Sequence, residues 1–116
     1  MTARATMPVP IYASGLEEAY ADFLGTLIHA EIVLQWDYQP ERLLLGDGAW
    51  YTPDFRVVTA SQAVEFHEVK GHWREAARVR IKVAAGLHPY VFRACTKPRG
   101  RGWQFECFTP GAGEFP

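Results

Sequence analysis

VEFHEVKG, residues 64–71, is typical of a buried β-strand that ends at its glycine, yet it carries charged groups near that end. Side chains of a strand point alternately to its two faces, so Glu68 and Lys70 lie on one face together with Phe66. The other face takes Glu65, His67 and Val69. The sequence therefore predicts that the Glu68 carboxylate and the Lys70 ammonium group are neighbours in space.

WYTPDF, residues 50–55, places an aspartate in a second predicted strand. The fourteen residues from Asp54 to Glu68 fit an adjacent antiparallel strand plus its turn, so the two carboxylates should converge. Close carboxylates repel, and proteins usually resolve this with a hard cation such as Mg²⁺, which takes oxygen ligands and keeps several waters. The Val69 carbonyl is a candidate further ligand. Lys70 can then orient an attacking water or stabilise charge on a phosphate, which indicates phosphodiester hydrolysis.

The rest of the chain predicts helices and strands around this pair. An apolar stripe at i, i+3, i+4 spacing from Leu16 to Ile28 predicts a helix of about four turns, with Ser14 as its N-cap. A second helix is expected at residues 73–87, stopping around Gly86. The expected strands are a meander at about residues 31–38, 42–45 and 50–58, then 64–71, 90–96 and 103–109. This order predicts an α/β fold, a mixed central β-sheet flanked by two main helices.

Length and composition limit the class of protein. The 116 residues predict a single domain, residues 1–116, with loose tails at 1–10 and 110–116. No apolar run reaches the roughly 18 residues of a membrane span, no secretory signal is evident, and two cysteines are too few for a disulfide scaffold. We therefore expect a cytoplasmic protein without a membrane partner. With a net charge of −1, any nucleic acid must bind a local basic patch.

Pro53-Asp54 followed by Glu68-Val69-Lys70-Gly71 resembles the signature of the PD-(D/E)XK nuclease superfamily, which has the restriction-endonuclease-like fold. The surrounding SGLEEAYADFL, QWDYQPERLLL, YTPDF and EVKG are similar to small phage and prophage endonucleases of that superfamily, whose relatives include phage Holliday-junction resolvases. The resemblance covers roughly residues 12–90. It implies a sheet flanked by helices, Mg²⁺ dependence with Mn²⁺ able to substitute, 5′-phosphate products and a bacterial host cell. Gly15 stands where the family often has a basic residue.

The resemblance also implies an extra glutamate from the first helix. At 100° per residue, Glu17 lies on the flank of the apolar stripe, whereas Glu18 lies further towards solvent, so Glu17 is the candidate. Ser14-x-x-Glu17 is also a capping box, in which Glu17 returns a hydrogen bond to the backbone NH of Ser14. Both interpretations stay open at this point.

Two groups of basic residues are candidates for DNA backbone contacts. Arg74, Arg78 and Lys82 recur at i, i+4, i+8 on the second helix and form one ridge, which is also compatible with a solvated face. KPRGRG, residues 97–102, places three more cations at a predicted hairpin tip whose glycines allow close approach to a phosphate. These cations are Lys97, Arg99 and Arg101.

The histidines and cysteines show no zinc-binding spacing. Cys95 and Cys107 are therefore expected to be buried thiols. His67 lies on the strand face opposite Glu68, so it should pack against a helix or lie at the surface. Trp73 is a candidate for stacking on an unpaired base.

The leading hypothesis is an Mg²⁺-dependent DNA endonuclease in which Asp54, Glu68 and Lys70 act together and Glu17 assists. No long recognition loop is evident, which favours structure-selective or nonspecific cutting over sequence-specific cutting. Junction resolution is one specific activity, and the chain permits a homodimer. A non-catalytic DNA-binding or assembly module of the same fold is the alternative, and nothing in the sequence excludes RNA as the substrate.

Overall fold

A computed structural model describes residues 12–72 and 74–116 of the chain. The expected N-terminal tail, residues 1–10, and Trp73 with its expected base stacking lie outside the described residues.

In the described part of the chain, nine elements form an α/β fold with a mixed five-stranded sheet. In chain order they are α1 (Gly15–His29), β1 (Val33–Tyr38), β2 (Leu43–Gly46), β3 (Ala49–Tyr51), β4 (Phe55–Thr59), β5 (Val64–Val69), α2 (Glu75–Leu87), β6 (Val91–Thr96) and β7 (Gln104–Cys107). The main sheet has the order β1-β4-β5-β6-β7, and only β5 and β6 pair in parallel. The predicted α/β class, with a mixed sheet and two helices, is confirmed.

Helix α1 forms as its apolar stripe predicts and covers one face of the sheet. The Ser14 hydroxyl oxygen accepts a hydrogen bond from the backbone NH of Glu17 at 3.1 Å, which satisfies a free donor of the first turn. Tyr20 and Leu24 are fully buried and pack with Phe55 and Val69 of the sheet. Burial of this stripe is the main stabilisation of the helix.

The strand predicted at residues 50–58 is divided in the structure, so the expected meander is wrong. Pro53 is buried and has no NH to donate to a ladder, so the chain leaves one sheet at Tyr51 and enters another at Phe55. Strands β2 and β3 pair only with each other, while β1 pairs with β4. The β2–β3 hairpin packs through Leu43 and Tyr51 against the α2 side of the sheet. These two residues belong to a second core cluster, which also contains Phe66, Ile81, Ala84 and Phe92.

Helix α2 covers the opposite face of the sheet and connects the two parallel strands. It begins at Glu75, with Arg74 as N-cap, so the start predicted at residue 73 is too early. Ile81 and Ala84 face Phe66 and Phe92 in the second core cluster. Such a crossover is what a parallel pair of neighbouring strands requires. Within the described part of the chain, neither helix is long and apolar enough to cross a membrane.

The C-terminal segment is packed into the protein, so the loose tail predicted at residues 110–116 is wrong. Phe115 is 7% exposed, and its ring lies 4.6 Å from the His67 ring and 5.1 Å from the Phe105 ring between centroids. The carbonyl of Gly113 accepts a hydrogen bond from Arg93 Nη2 at 2.8 Å. A single aromatic residue after several glycines was enough to anchor the segment, because an aromatic ring buries a large apolar area.

Replacing Phe115 by alanine should lower the free energy of unfolding by about 3 kcal/mol, because the ring leaves a cavity beside His67 and Phe105. Urea denaturation followed by circular dichroism measures the change. Glu114→Ala is the matched control, since this neighbour is exposed and should change stability by less than about 0.5 kcal/mol. Equal stabilities of the two variants would show that the segment does not belong to the core.

Candidate active site

Asp54 and Glu68 converge where β4 begins and β5 ends. Phe55 pairs with His67 in the antiparallel register, so Asp54, one residue earlier, faces Glu68. Asp54 Oδ2 accepts a hydrogen bond from the backbone NH of Val69 at 2.8 Å. Each of the two acidic residues is only 8% exposed. The predicted convergence of the two carboxylates is therefore confirmed.

The electrostatics of the pair are unfavourable without a cation. Burial is the largest influence and raises the pKa of Asp54, the negative charge of Glu68 raises it further, and the result is about 7. The hydrogen bond from Val69 and the charge of Lys70 act in the opposite direction but do not compensate. Near neutral pH, Asp54 therefore holds a proton for part of the time, instead of adding a second negative charge to the site.

Glu68 is held by one donor on each carboxylate oxygen. The hydroxyl of Tyr51 donates to Oε1 at 2.8 Å, and Lys70 Nζ lies 3.0 Å from Oε2. Burial and then the charge of Glu68 raise the pKa of Tyr51 far above its usual range, so this hydroxyl stays a donor. The predicted proximity of Glu68 and Lys70 is confirmed. Tyr51 was missed, although its place in WYTPDF next to the predicted aspartate was a usable signal.

Glu17 points to the sheet and not back to its own helix start. The hydroxyl of Tyr38, in β1, donates a short hydrogen bond to Glu17 Oε1 and accepts one from the Ala13 NH at 3.0 Å. Half of the predicted capping box is present, namely the bond from the Glu17 NH to Ser14. The Glu17 charge also raises the pKa of Asp54, so Glu17 lies close enough to the carboxylate pair to influence it.

The residues of this site suit a hard divalent cation that is bound by few protein ligands. Among residues 12–72 and 74–116, no three His, Cys, Asp or Glu side chains form a metal-holding group, so Glu17 does not join the pair in such a group. Mg²⁺ is commonly bound by only one or two carboxylates together with waters and substrate phosphates. Asp54 and Glu68 supply carboxylate oxygens, which are ligands of this kind, and Asp54 retains a proton for part of the time near pH 7.

The basic ridge predicted on α2 is divided by an ion pair. Arg78 forms a two-pronged pair with Glu106 of β7, with Nη1 to Oε1 at 2.8 Å and Nη2 to Oε2 at 2.5 Å. Arg74 and Lys82 are exposed. Arg74, at the start of α2, is the nearer of these two to the carboxylates along the chain, because α2 follows directly after β5.

The basic hairpin tip lies at the same end of the sheet as the carboxylates. Strand β6 runs parallel to β5, and the backbone NH of Lys70 donates to the Cys95 carbonyl at 2.9 Å, so both strands end side by side. Residues 97–103 continue from that end. The three predicted cations of this tip are all exposed: Lys97, Arg99 and Arg101.

A second buried polar cluster on the α1 face of the sheet was not predicted. His67 Nε2 lies 2.9 Å from Glu65 Oε1, His67 Nδ1 lies 2.5 Å from the Tyr20 hydroxyl, and Arg93 Nε donates to Glu65 Oε1 at 2.7 Å. Burial lowers the pKa of His67, so its ring is neutral and contributes packing and hydrogen bonds. Of the two places expected for His67, against a helix or at the surface, the structure shows the first, against Tyr20 of α1.

The prediction of two buried thiols is half right. Cys95, in the central strand β6, is fully buried, as expected for a small apolar side chain in a sheet interior. Cys107 is exposed because β7 is an edge strand at which the covering layer ends.

Without metal, Asp54→Asn should stabilise the protein at about pH 8 by roughly 2–4 kcal/mol. The folded-state pKa of Asp54 is raised above its usual value of 3.8 to about 7, so the folded protein loses stability relative to the unfolded chain as pH rises between these two values. Asparagine cannot ionise and keeps an oxygen for the Val69 NH. The gain should vanish below about pH 4, where the carboxyl is protonated in both the folded and the unfolded state.

Thermal denaturation in EDTA across this pH range measures the gain, and Asp47→Asn is the matched control in an exposed turn. Added Mg²⁺ should stabilise the wild type and the control but not Asp54→Asn. A pH-independent difference between Asp54→Asn and wild type would contradict the repulsion between the two carboxylates.

No protein-family model, curated protein or solved structure matches the chain. What the site does must therefore be inferred from its own residues, from the buried carboxylate pair and the lysine beside it.

Proposed function

We propose that the chain is an Mg²⁺-dependent DNA endonuclease that hydrolyses phosphodiester bonds, with the restriction-endonuclease-like fold of the PD-(D/E)XK superfamily. The observation that carries the proposal is the pair of buried carboxylates, Asp54 and Glu68, with the Lys70 ammonium 3.0 Å from Glu68. A structural ion pair would need only one of these carboxylates. The second one raises the electrostatic cost and is explained by a cation that both can bind.

Asp54 and Glu68 would hold Mg²⁺, with the Val69 carbonyl as a further ligand. The bound ion would lower the pKa of a water and stabilise charge on the phosphate. Tyr51 fixes one oxygen of Glu68, so the carboxylate is oriented before any ligand binds. Mn²⁺ also takes oxygen ligands and should substitute.

Lys70 and Glu17 act beside the carboxylate pair. The Lys70 ammonium group can orient the attacking water or donate to a phosphate oxygen whose charge grows in the transition state. Its flexible stem allows it to move from Glu68 to the substrate. Glu17, oriented by Tyr38, adds negative charge on the α1 side, where it can accept a hydrogen bond from water near Asp54.

DNA would approach the end of the sheet at which the basic side chains lie. Arg74 at the start of α2 and the tip cations Lys97, Arg99 and Arg101 surround this end, and Lys82 extends the basic surface along α2. Arg78 would contribute once a phosphate competes with Glu106. Within the described residues, the longest connection between elements is residues 97–103, which supports structure-selective or nonspecific cutting, junction resolution included. A homodimer, a phage or prophage origin and action in a bacterial host cytoplasm belong to the same proposal.

The direct test is cleavage of labelled junction, single-stranded and duplex DNA in Mg²⁺ and in EDTA. Lys70→Met keeps the apolar stem and removes the charge, and we expect it to lower the cleavage rate by about 10²–10³-fold. Asp54→Asn and Glu68→Gln should abolish metal-dependent cutting, while the exposed turn variant Asp47→Asn should cut like the wild type.

Metal-dependent cutting that survives in Lys70→Met and Glu68→Gln would refute this site. Tight Mg²⁺ or Mn²⁺ binding with DNA bound but uncut would instead support the non-catalytic DNA-binding module. Cleavage of RNA but not of DNA would show that the substrate is RNA, with the same active site.

Tyr51→Phe should weaken metal affinity or cleavage by about tenfold, because Glu68 loses the donor that orients one of its oxygens. Isothermal titration with Mn²⁺ and cleavage at varied Mg²⁺ measure the effect. Tyr90→Phe is the matched control, since Tyr90 packs edge-on against Phe66 in the same core cluster and does not contact the carboxylates. Unchanged metal affinity and cleavage in Tyr51→Phe would show that Tyr51 serves only the packing of the hairpin.

A further inference from the structure

The β2–β3 hairpin has one buried and one exposed face. Leu43 pairs with Tyr51, and both face the core. Leu44 pairs with Trp50, and these two side chains are 47% and 45% exposed on the outer face. The hairpin therefore does not need Trp50 for its attachment, and a large aromatic side chain is left in contact with solvent.

Arg42 lies over this exposed ring. Its Cζ is 4.3 Å from the centroid of the Trp50 ring, which is stacking distance for a guanidinium group. Arg42 is itself exposed, and none of the ion pairs among residues 12–72 and 74–116 involves it. One face of the indole thus carries a cation whose hydrogen-bond donors remain available for an anion.

The hairpin that carries this exposed face also contacts the candidate active site, through its inner face. Tyr51 follows Trp50 directly and reaches Glu68 from the inner face, and Asp54 lies four residues after Trp50. A strand bound at Glu68 would therefore pass the hairpin on entering or leaving the site. A base can stack on an indole, and the guanidinium can pair with the adjacent phosphate.

We propose that Arg42 and Trp50 form a stacking surface for unpaired bases, so that the preferred substrate is DNA with a single-stranded stretch beside the cut. This inference rests on the proposed nuclease function. Stacking on an aromatic ring needs an exposed base face, which duplex DNA offers only at its ends. Leu44 extends the apolar surface, and Arg42 contributes charge to the phosphates.

The competing occupant of this face is a protein. Val79, Val83 and Leu87 form an exposed apolar stripe on the neighbouring helix α2, which a second copy of the chain could cover together with Trp50. The positive charge on the ring favours nucleic acid, because a guanidinium group at the centre of a patch between two copies would have to be desolvated.

Fluorescence anisotropy in EDTA tests the stacking surface without cleavage. The probes are a labelled oligothymidylate of about 15 nucleotides and a duplex of the same length. Trp50→Ala should weaken binding of the oligothymidylate by about 5- to 100-fold and change duplex binding by less than about twofold. Trp50→Phe should recover part of the loss, and Arg42→Gln should reduce the salt dependence. Leu34→Ala, an exposed apolar residue of the edge strand β1, is the matched control.

Equal weakening of both probes by Trp50→Ala, unchanged binding, or no binding by the wild type would overturn the inference. If Trp50→Ala changed the mass of the assembly in solution and kept its DNA binding, the result would overturn the inference in favour of a protein interface. The two proposals fail separately. Mg²⁺-dependent cleavage that does not depend on Trp50 would support the nuclease function and contradict the stacking surface. Trp50-dependent binding without any cleavage would support the stacking surface and contradict the nuclease function.

Discussion

The hydrogen bond from the Val69 NH to the Asp54 carboxylate joins the fold to the candidate site. Because Pro53 cannot donate to a ladder, β4 begins only at Phe55, and a side chain takes the place of a backbone partner for Val69. The same interruption sends the β2–β3 hairpin over the α2 face, where Tyr51 reaches Glu68. One proline thus explains the division of the sheet, the place of the aspartate and the orientation of the glutamate.

Two buried carboxyl groups at strand β5, Glu65 within the strand and Asp54 beside its end, differ in how their charge is balanced. Burial raises the pKa of Glu65, but the hydrogen bonds from His67 and Arg93 lower it more, so the balance is a lowered pKa. Asp54, beside the end of the strand, faces a second carboxylate instead of an arginine, and its pKa is raised. The charge of the first group is balanced by partners within the fold, whereas the charge of the second is not.

Features with a local cause could be predicted from the sequence. The stripe from Leu16 to Ile28 gives α1 through helical periodicity, and strand alternation alone places Glu68 beside Lys70. The hairpin and the C-terminal anchor could not be predicted, because pairing partners and the burial of Phe115 depend on contacts distant in the chain. Tyr51 lies between these cases, since its position is local to Asp54 but its hydrogen bond to Glu68 depends on where the hairpin packs.

In the proposed function, the charges of the site explain why a cation and DNA would bind together. Asp54, Glu68 and Glu17 would repel a phosphate, although basic groups surround the same end of the sheet. A divalent ion held by Asp54 and Glu68 would remove the repulsion within the pair and would present positive charge to the phosphate. Since Asp54 retains a proton up to about pH 7, ion binding would have to displace that proton, and metal affinity should rise with pH across that range. In the proposed function, the carboxylate repulsion in the metal-free protein would therefore favour the binding of a cation.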